Sequence, residues 1–202
     1  MTFVPPLYPN GKHPALNYLR MRLFVGIPLA PAVVSELSAA VARLKSGADA
    51  LRWMPPESWH ITLQFLGNTS PEQYGCLLAR LAQLRSSPIP IRLGELDFFD
   101  RAGVFFASIA PAPELVTLAQ RVSAATAHCG FAAEERPFHP HITLARSKGQ
   151  NRALPLRALK AKVSRQPVFT RFSAAEFLLY ESHLAPTGSI YQIRARFNLI
   201  QP

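Results

Sequence analysis

Apolar residues recur along the chain with two periods, and their order sketches the elements. Residues 23–27 (LFVGI) form a short apolar run that predicts a strand, and Pro31 follows where a helix would take its first turn. Val34, Leu37, Val41 and Leu44 then recur at three-four spacing as far as Gly47, giving that helix one face to bury. From His60 to Leu66 polar and apolar residues alternate, the mark of a half-buried strand, and Gly67-Asn68 is expected to end it. Ser70 precedes Pro71 and stands three residues before Gln73, a capping-box arrangement that opens a second helix with Tyr74, Leu77, Leu78 and Leu81 inward. Residues 89–99 and 104–109 read as a hairpin around an Asp100 to Gly103 turn. A third helix is expected from about Pro113 to Gly130, burying Leu115, Leu118, Val122 and Ala125. A strand from His141, a short helix around Leu156 to Val163, and strands near 169–180 and 190–199 complete the chain. Hairpins interspersed with helices predict an α+β fold of antiparallel sheets with helices on their outer faces. Residues 1–20 lack periodicity and hold Pro5, Pro6, Pro9 and a PNGK turn, so they are expected to be a flexible extension to one domain over 21–202.

Within this pattern the tetrapeptide His-Ile-Thr-Leu occurs twice, at 60–63 and at 141–144. Two copies so spaced suggest an internal duplication, with equivalent strands in two lobes. On a regular strand His60, Thr62 and Gln64 share one face while Ile61, Leu63 and Phe65 share the other. The second copy sets His141 and Thr143 against Ile142 and Leu144. If a pseudo-twofold brought the two strands together, both His-Thr pairs would point into one cleft.

Such a cleft suits phosphodiester hydrolysis without a metal. An imidazole titrates near pH 6.5, so one histidine can serve as base while another, held cationic by an adjacent phosphate, serves as acid. The threonine hydroxyls would donate to non-bridging phosphate oxygens. Nothing in the repeat is itself a nucleophile. His139 and His141 also form His-x-His, a pattern common in zinc sites, but no third ligand of convincing spacing accompanies them, and no metal or cofactor is expected. His139 is expected at the cleft entrance or the surface. Tyr191 and the aromatics near the first strand could stack on a base, although core packing is the stronger expectation.

HITLQFLG and FHPHITLAR resemble the paired His-x-Thr-x motifs of the two-histidine (2H) phosphoesterase superfamily, and the surrounding text resembles its bacterial RNA 2′,3′-cyclic phosphodiesterase, or 2′-5′ RNA ligase-like, branch. MRLFVGIPL is similar to that branch's first strand, Trp53 and Trp59 sit in its aromatic segment before the first motif, and LLYESHLAPTGSIY is similar to its closing segment. The resemblance implies two pseudo-symmetric lobes around a central groove and the opening of RNA 2′,3′-cyclic phosphate ends to 2′-phosphates. It implies that His60 is the proton donor and His141 the proton acceptor. Thr62 and Thr143 would hold the phosphate, and Arg146 would neutralise it. Weak, reversible 2′-5′ ligation accompanies the family's chemistry. The partners implied are RNA ends, tRNA fragments among them, bound by a monomer. A non-catalytic RNA- or nucleotide-binding module, and a phosphodiesterase acting on a small cyclic-phosphate nucleotide, are the competing readings.

Composition adds location and charge. The 202 residues are 49% hydrophobic and include 19 prolines, so the chain folds and turns often. Cys76 and Cys129 form no CxxC pair, so neither a disulfide framework nor a cysteine zinc site is expected, and a cytoplasmic setting fits. The stretch 23–34 is interrupted by Pro28 and Pro31 and is too short to span a bilayer, so no membrane anchor is expected. With 22 basic and 12 acidic residues the net charge is +10. Nine of the basic residues lie between Arg136 and Arg171 with no acidic residue among them, which predicts a basic segment beside the second His-Thr motif that attracts a polyanion.

Overall fold

The computed structural model describes residues 21–45, 50–134, 136–148, 153–163, 166–185 and 188–200. The expected N-terminal extension, Gly47, Arg152 and Arg165 lie outside the described residues. The element order is β1 (Met21–Pro28), α1 (Pro31–Leu44), β2 (Leu51–Trp53), β3 (His60–Thr69), α2 (Pro71–Leu81), β4 (Ile89–Ile91), β5 (Leu93–Phe99), β6 (Val104–Ile109), α3 (Pro113–Ala127), β7 (His141–Ser147), α4 (Ala153–Lys162), β8 (Phe172–Ala174), β9 (Glu176–Ala185) and β10 (Gly188–Asn198).

The strands form two four-stranded sheets, β10-β9-β1-β3 and β2-β7-β6-β5, and the pair β4-β8, with every pairing antiparallel. The α+β expectation is met, with one His-Thr strand in each large sheet. Helix α2 begins as the sequence demands. The Gln73 amide donates to Ser70 Oγ at 3.2 Å and the Ser70 amide donates to Gln73 Oε1 at 3.0 Å, so two otherwise unpaired donors of the first turn are satisfied. Leu77 and Leu81, one turn apart, are the fully buried members of its stripe. One apolar cluster joins Val25 and Ile27 of β1, Leu37 of α1, Ile61 of β3, Leu118 of α3, Phe105 of β6 and Ile142 of β7, so the lobes share a core instead of packing as separate units.

Three expectations change. Strand β3 continues through Gly67-Asn68 to Thr69, because β1 pairs along its whole length down to Met21↔Thr69, and Gly67 absorbs the irregularity with φ +71°. The stretch 89–99 is broken at Arg92: β4 pairs with β8 while β5 pairs with β6. The third change is that Cys76 of α2 and Cys129, just beyond α3, are joined as a disulfide with Cα atoms 5.7 Å apart. Counting spacings could not find it, since packing of α2 against α3 brings together two residues 53 positions apart. Gln73 Nε2 of α2 also donates to the Cys129 carbonyl at 3.3 Å.

Closing a loop of this length restricts the unfolded chain, so reduction, or Cys76→Ser, is expected to lower stability by about 2–4 kcal/mol. Thermal unfolding with and without reductant measures it; unchanged melting of the reduced protein would show that the cross-link contributes nothing.

Candidate active site

The site begins with a local hydrogen bond made twice. His60 opens β3 and His141 opens β7. His60 Nδ1 lies 2.7 Å from the Ser58 carbonyl, and His141 Nδ1 lies 2.7 Å from the His139 carbonyl, in each case the residue two positions earlier. A carbonyl only accepts, so Nδ1 carries the proton in both rings and Nε2 is left for chemistry. A single 3-10 turn at Pro56–Ser58 presents the first carbonyl, and the irregular segment 137–140 ahead of β7 presents the second. Gly26, opposite Thr62 on β1, leaves room for the first ring: a Cβ there would stand 3.0 Å from the Ile61 carbonyl oxygen and 3.3 Å from His60 Cδ2.

The strict alternation expected after each motif fails, in the same way in both lobes. On β3 the partners of Gly26 and Val25 are Thr62 and Gln64, leaving Leu63 as an extra residue. On β7 the partners of Phe106 and Phe105 are Thr143 and Ala145, leaving Leu144 extra. Each is a β-bulge, and each reverses the facing of the residues that follow it, on β3 as far as a second irregularity at Leu66. Gln64 therefore turns inward and is buried, accepting a 2.7 Å hydrogen bond from Thr126 Oγ1 and donating to the Ala132 carbonyl at 3.4 Å. Phe65, expected in the core, is 67% exposed on the site face. By the same shift Arg146 joins His141 and Thr143 on theirs. Phe65 and Arg146 are thus equivalent positions in the repeat, one aromatic and one cationic.

Two adjoining hollows meet at these residues. A groove of about 1550 Å³ is lined by Phe65, Phe98, Phe99 and Phe138 and reaches Thr62, His141 and Arg146. A smaller pocket of about 530 Å³ contains all five expected residues, His60, Thr62, His141, Thr143 and Arg146. The structure therefore brings together every site residue expected from the sequence. It adds Phe65, Tyr191, Arg22 and Arg52. Tyr191, expected in the core, packs half-buried against Phe24 of a small apolar cluster and also meets the His60 ring edge-on at 5.2 Å. Its signal was its place on a strand of alternating pattern, which cannot say which strand lies opposite. His139 lines the large groove, as expected, with its ring 5.8 Å from Phe99. Among the described residues no three His, Cys, Asp or Glu side chains gather as metal ligands would.

Both histidines are shifted toward the neutral form. Phe24, Tyr180 and Tyr191 surround His60 at ring distances of 4.6, 5.7 and 5.2 Å, and burial first, with His141 and Arg146 adding like charge, brings its pKa down to about 4. Its hydrogen bond to Ser58 opposes the shift. His141, with Phe99 and Phe106 at 5.1 and 5.3 Å, is lowered for the same leading reason, aided by Arg146 and His139. Burial also lowers the pKa of Arg146, as does Arg52, its cross-strand partner. An apolar, electropositive centre of this kind favours an incoming anion, whose charge would restore a proton to one imidazole.

The fold and the opposed histidines define a two-histidine phosphoesterase. Residues 30–185 match the model of the 2′-5′ RNA ligase superfamily, and the chain belongs to that family. It is 30% identical over 171 residues to an RNA 2′,3′-cyclic phosphodiesterase of Bacillus subtilis, covering 82% of this chain and 90% of that protein. A protein of the same name from Geobacillus stearothermophilus is 31% identical over 90% of this chain, which spans only 58% of that relative's length. Escherichia coli LigT, in its crystal structure with 3′-AMP, superposes with a TM-score of 0.76 at 27% identity, covering 90% of this chain and 99% of LigT.

The depressed His60 has a consequence for stability. Between pH 6.5 and about 4 the unfolded chain binds a proton at this residue that the native protein refuses, so stability rises with pH across that window and is lost as pH falls through it. Chemical denaturation at pH 7, 5.5 and 4 is expected to show the decline, and His60→Asn to flatten it. An equal decline in the variant would exclude His60 as its source.

Proposed function

We propose that this chain is a hydrolase that opens 2′,3′-cyclic phosphate termini of RNA to 2′-phosphates. The observation that carries this reading is the duplicated constellation itself: two imidazoles with Nε2 free, each followed on its strand face by a threonine, sharing one arginine-lined pocket. His141 Nε2 takes a proton from water as the water oxygen bonds to phosphorus. The bond from phosphorus to the 3′ oxygen breaks, and His60 Nε2 gives that oxygen its proton. Thr62 and Thr143 donate to the non-bridging oxygens, and Arg146 offsets the charge that grows there. No step calls for a metal ion. With a 5′-hydroxyl attacking phosphorus in place of water, the same departure of the 3′ oxygen leaves a 2′-5′ phosphodiester, and its reversal re-forms the cyclic phosphate, so the arrangement supports weak, reversible 2′-5′ ligation.

A polymer end suits the site better than a free nucleotide. Pockets for small molecules occupy about 300–1,000 Å³, and the aromatic groove is larger than that and runs directly into the centre. Phe65, exposed between the two hollows, is placed to stack on the terminal base. We take the cellular substrates to be RNA fragments, with those of tRNA included, and the acting species to be a monomer in the cytoplasm; that setting rests on the RNA substrate and no longer on the cysteines, which are paired. No helix among the described residues is long and apolar enough to cross a membrane.

His60→Ala and His141→Ala are each expected to reduce kcat/KM on an oligonucleotide ending in a cyclic phosphate by about 10² to 10⁴. Activity within a few-fold of native in either variant would remove the two-histidine mechanism and leave the binding-module reading. A 2′-phosphate product supports His60 as donor to the 3′ oxygen, whereas a 3′-phosphate reverses the assignment.

Because both histidine pKa values lie below 6.5, the bell for kcat/KM is expected to centre on the acid side of pH 6.5, and the bell for kcat at higher pH, where bound anion offsets the cations. A kcat/KM optimum above pH 8 would mean that other groups titrate.

A further inference from the structure

Beyond the reacting phosphate, the smaller pocket offers more positive charge than one anion uses. Its wall includes Arg22, Arg52 and Arg146 and, among the described residues, no Asp or Glu. Three carboxylates elsewhere in the chain are matched to cations: Glu134 to Arg136 at 2.8 Å, Asp100 to Lys160 at 2.7 Å, Glu176 to Arg196 at 2.7 Å. Thus two members of the basic segment between Arg136 and Arg171 are already neutralised by the protein. Arg22 and Arg52 lie outside that segment, are exposed, and make no ion pair with any described residue.

Their positions are opposed across the cleft. Arg52 is on β2 in register with Arg146 of β7, which places two guanidinium-bearing residues side by side on one sheet, and Arg52 pushes the Arg146 pKa down. Arg22 is on β1 of the other sheet, two residues before Phe24, whose ring packs against His60 at 4.6 Å and Phe65 at 6.0 Å. Ser182, Ser189 and Tyr191 bring hydroxyl groups to the same wall. Arg52 and Arg146 are like charges in cross-strand register, and an anion entering the pocket between them and Arg22 would offset their repulsion.

We propose that Arg22 and Arg52 form a second phosphate subsite, which takes the 5′-phosphate of the nucleotide whose cyclic phosphate is being opened. The inference rests on the cyclic-phosphate reading and deepens it. With the ring phosphate held by the histidines and threonines and the base on Phe65, the remaining anion of that nucleotide is the phosphodiester joining it to the chain. The subsite therefore makes the enzyme select ends that belong to a strand over mononucleoside cyclic phosphates. Arg146 serves the reacting phosphate; Arg22 and Arg52 serve the neighbouring one.

Two measurements on the whole protein test this. Calorimetric titration compares adenosine 2′,5′-bisphosphate with adenosine 2′-monophosphate, and kinetics compare the dinucleotide ApA ending in a 2′,3′-cyclic phosphate with adenosine 2′,3′-cyclic phosphate. Native protein is expected to prefer the ligand with the extra 5′-phosphate at least about tenfold in both assays. The preference should fall to within about twofold in Arg22→Gln/Arg52→Gln, while turnover of the mononucleotide stays within about twofold of native. Arg22→Lys/Arg52→Lys should recover part of it. Raising salt should weaken bisphosphate binding more steeply than monophosphate binding, because the extra charge pair is screened. Equal affinity for the two monomeric ligands in native protein, or a preference that survives the double glutamine variant, overturns the subsite. If native protein opens neither cyclic phosphate, the catalytic reading fails, and the ratio of binding constants still decides the subsite on its own.

Discussion

The extra residue that follows each His-x-Thr is the constraint on which the site rests. A strand packed on a core can show polar groups only at every second position, and a phosphate centre needs a third group close to the histidine and threonine. Leu63 and Leu144 break the alternation at equivalent places, burying Leu63 with Gln64 and Leu144 with Ala145, and swinging Phe65 and Arg146 onto the working face. Without the bulges Arg146 would lie on the core side of β7, where an unpaired guanidinium is not tolerated. The same shift turns Gln64 inward, where it ties β3 to Thr126 and Ala132 on the path leading to β7. A local defect in pairing thus shapes the site face and couples the two lobes.

Electrostatics follow from this placement. Aromatic rings close around both imidazoles and remove the water that would stabilise a cation, while Arg146 adds positive charge beside them. The resting centre is therefore short of negative charge and holds its histidines neutral, which is the state one of them needs as a base. The other becomes an acid only when substrate brings its own charge. Binding and proton inventory are linked in one step, so an empty site is poorly equipped to donate a proton to the wrong partner.

Much of this was legible along the chain. The capping box of α2, the strand periodicity and the repeated His-Ile-Thr-Leu are local patterns, and local patterns survive folding because neighbours in sequence remain neighbours in space. Both histidines and both threonines lie where alternation puts them, since they precede the bulges. Gln64, Phe65 and the end of β3 were misread because a bulge is created by the partner strand, whose register is not written in the strand that carries it. Tyr191 was assigned to the core for a similar reason: its strand pattern shows that one side is covered, without naming what faces the other.

From residue types and spacing alone came the fold class, the paired motifs, the duplication and the two His-Thr pairs of the phosphate centre, with Arg146 added by the family resemblance. The three-dimensional arrangement settled what depends on residues remote in sequence: the Cys76–Cys129 bond between α2 and the end of α3, the convergence of Arg22, Arg52 and Arg146, and the aromatic cage that lowers the His60 pKa. The net charge shows the division well. Its largest cluster in sequence lies between Arg136 and Arg171, and part of that cluster is matched by acidic neighbours in space, whereas two arginines from far earlier in the chain stand bare at the site. Charge acts through distance, and only chain folding assigns distances to residues far apart in sequence.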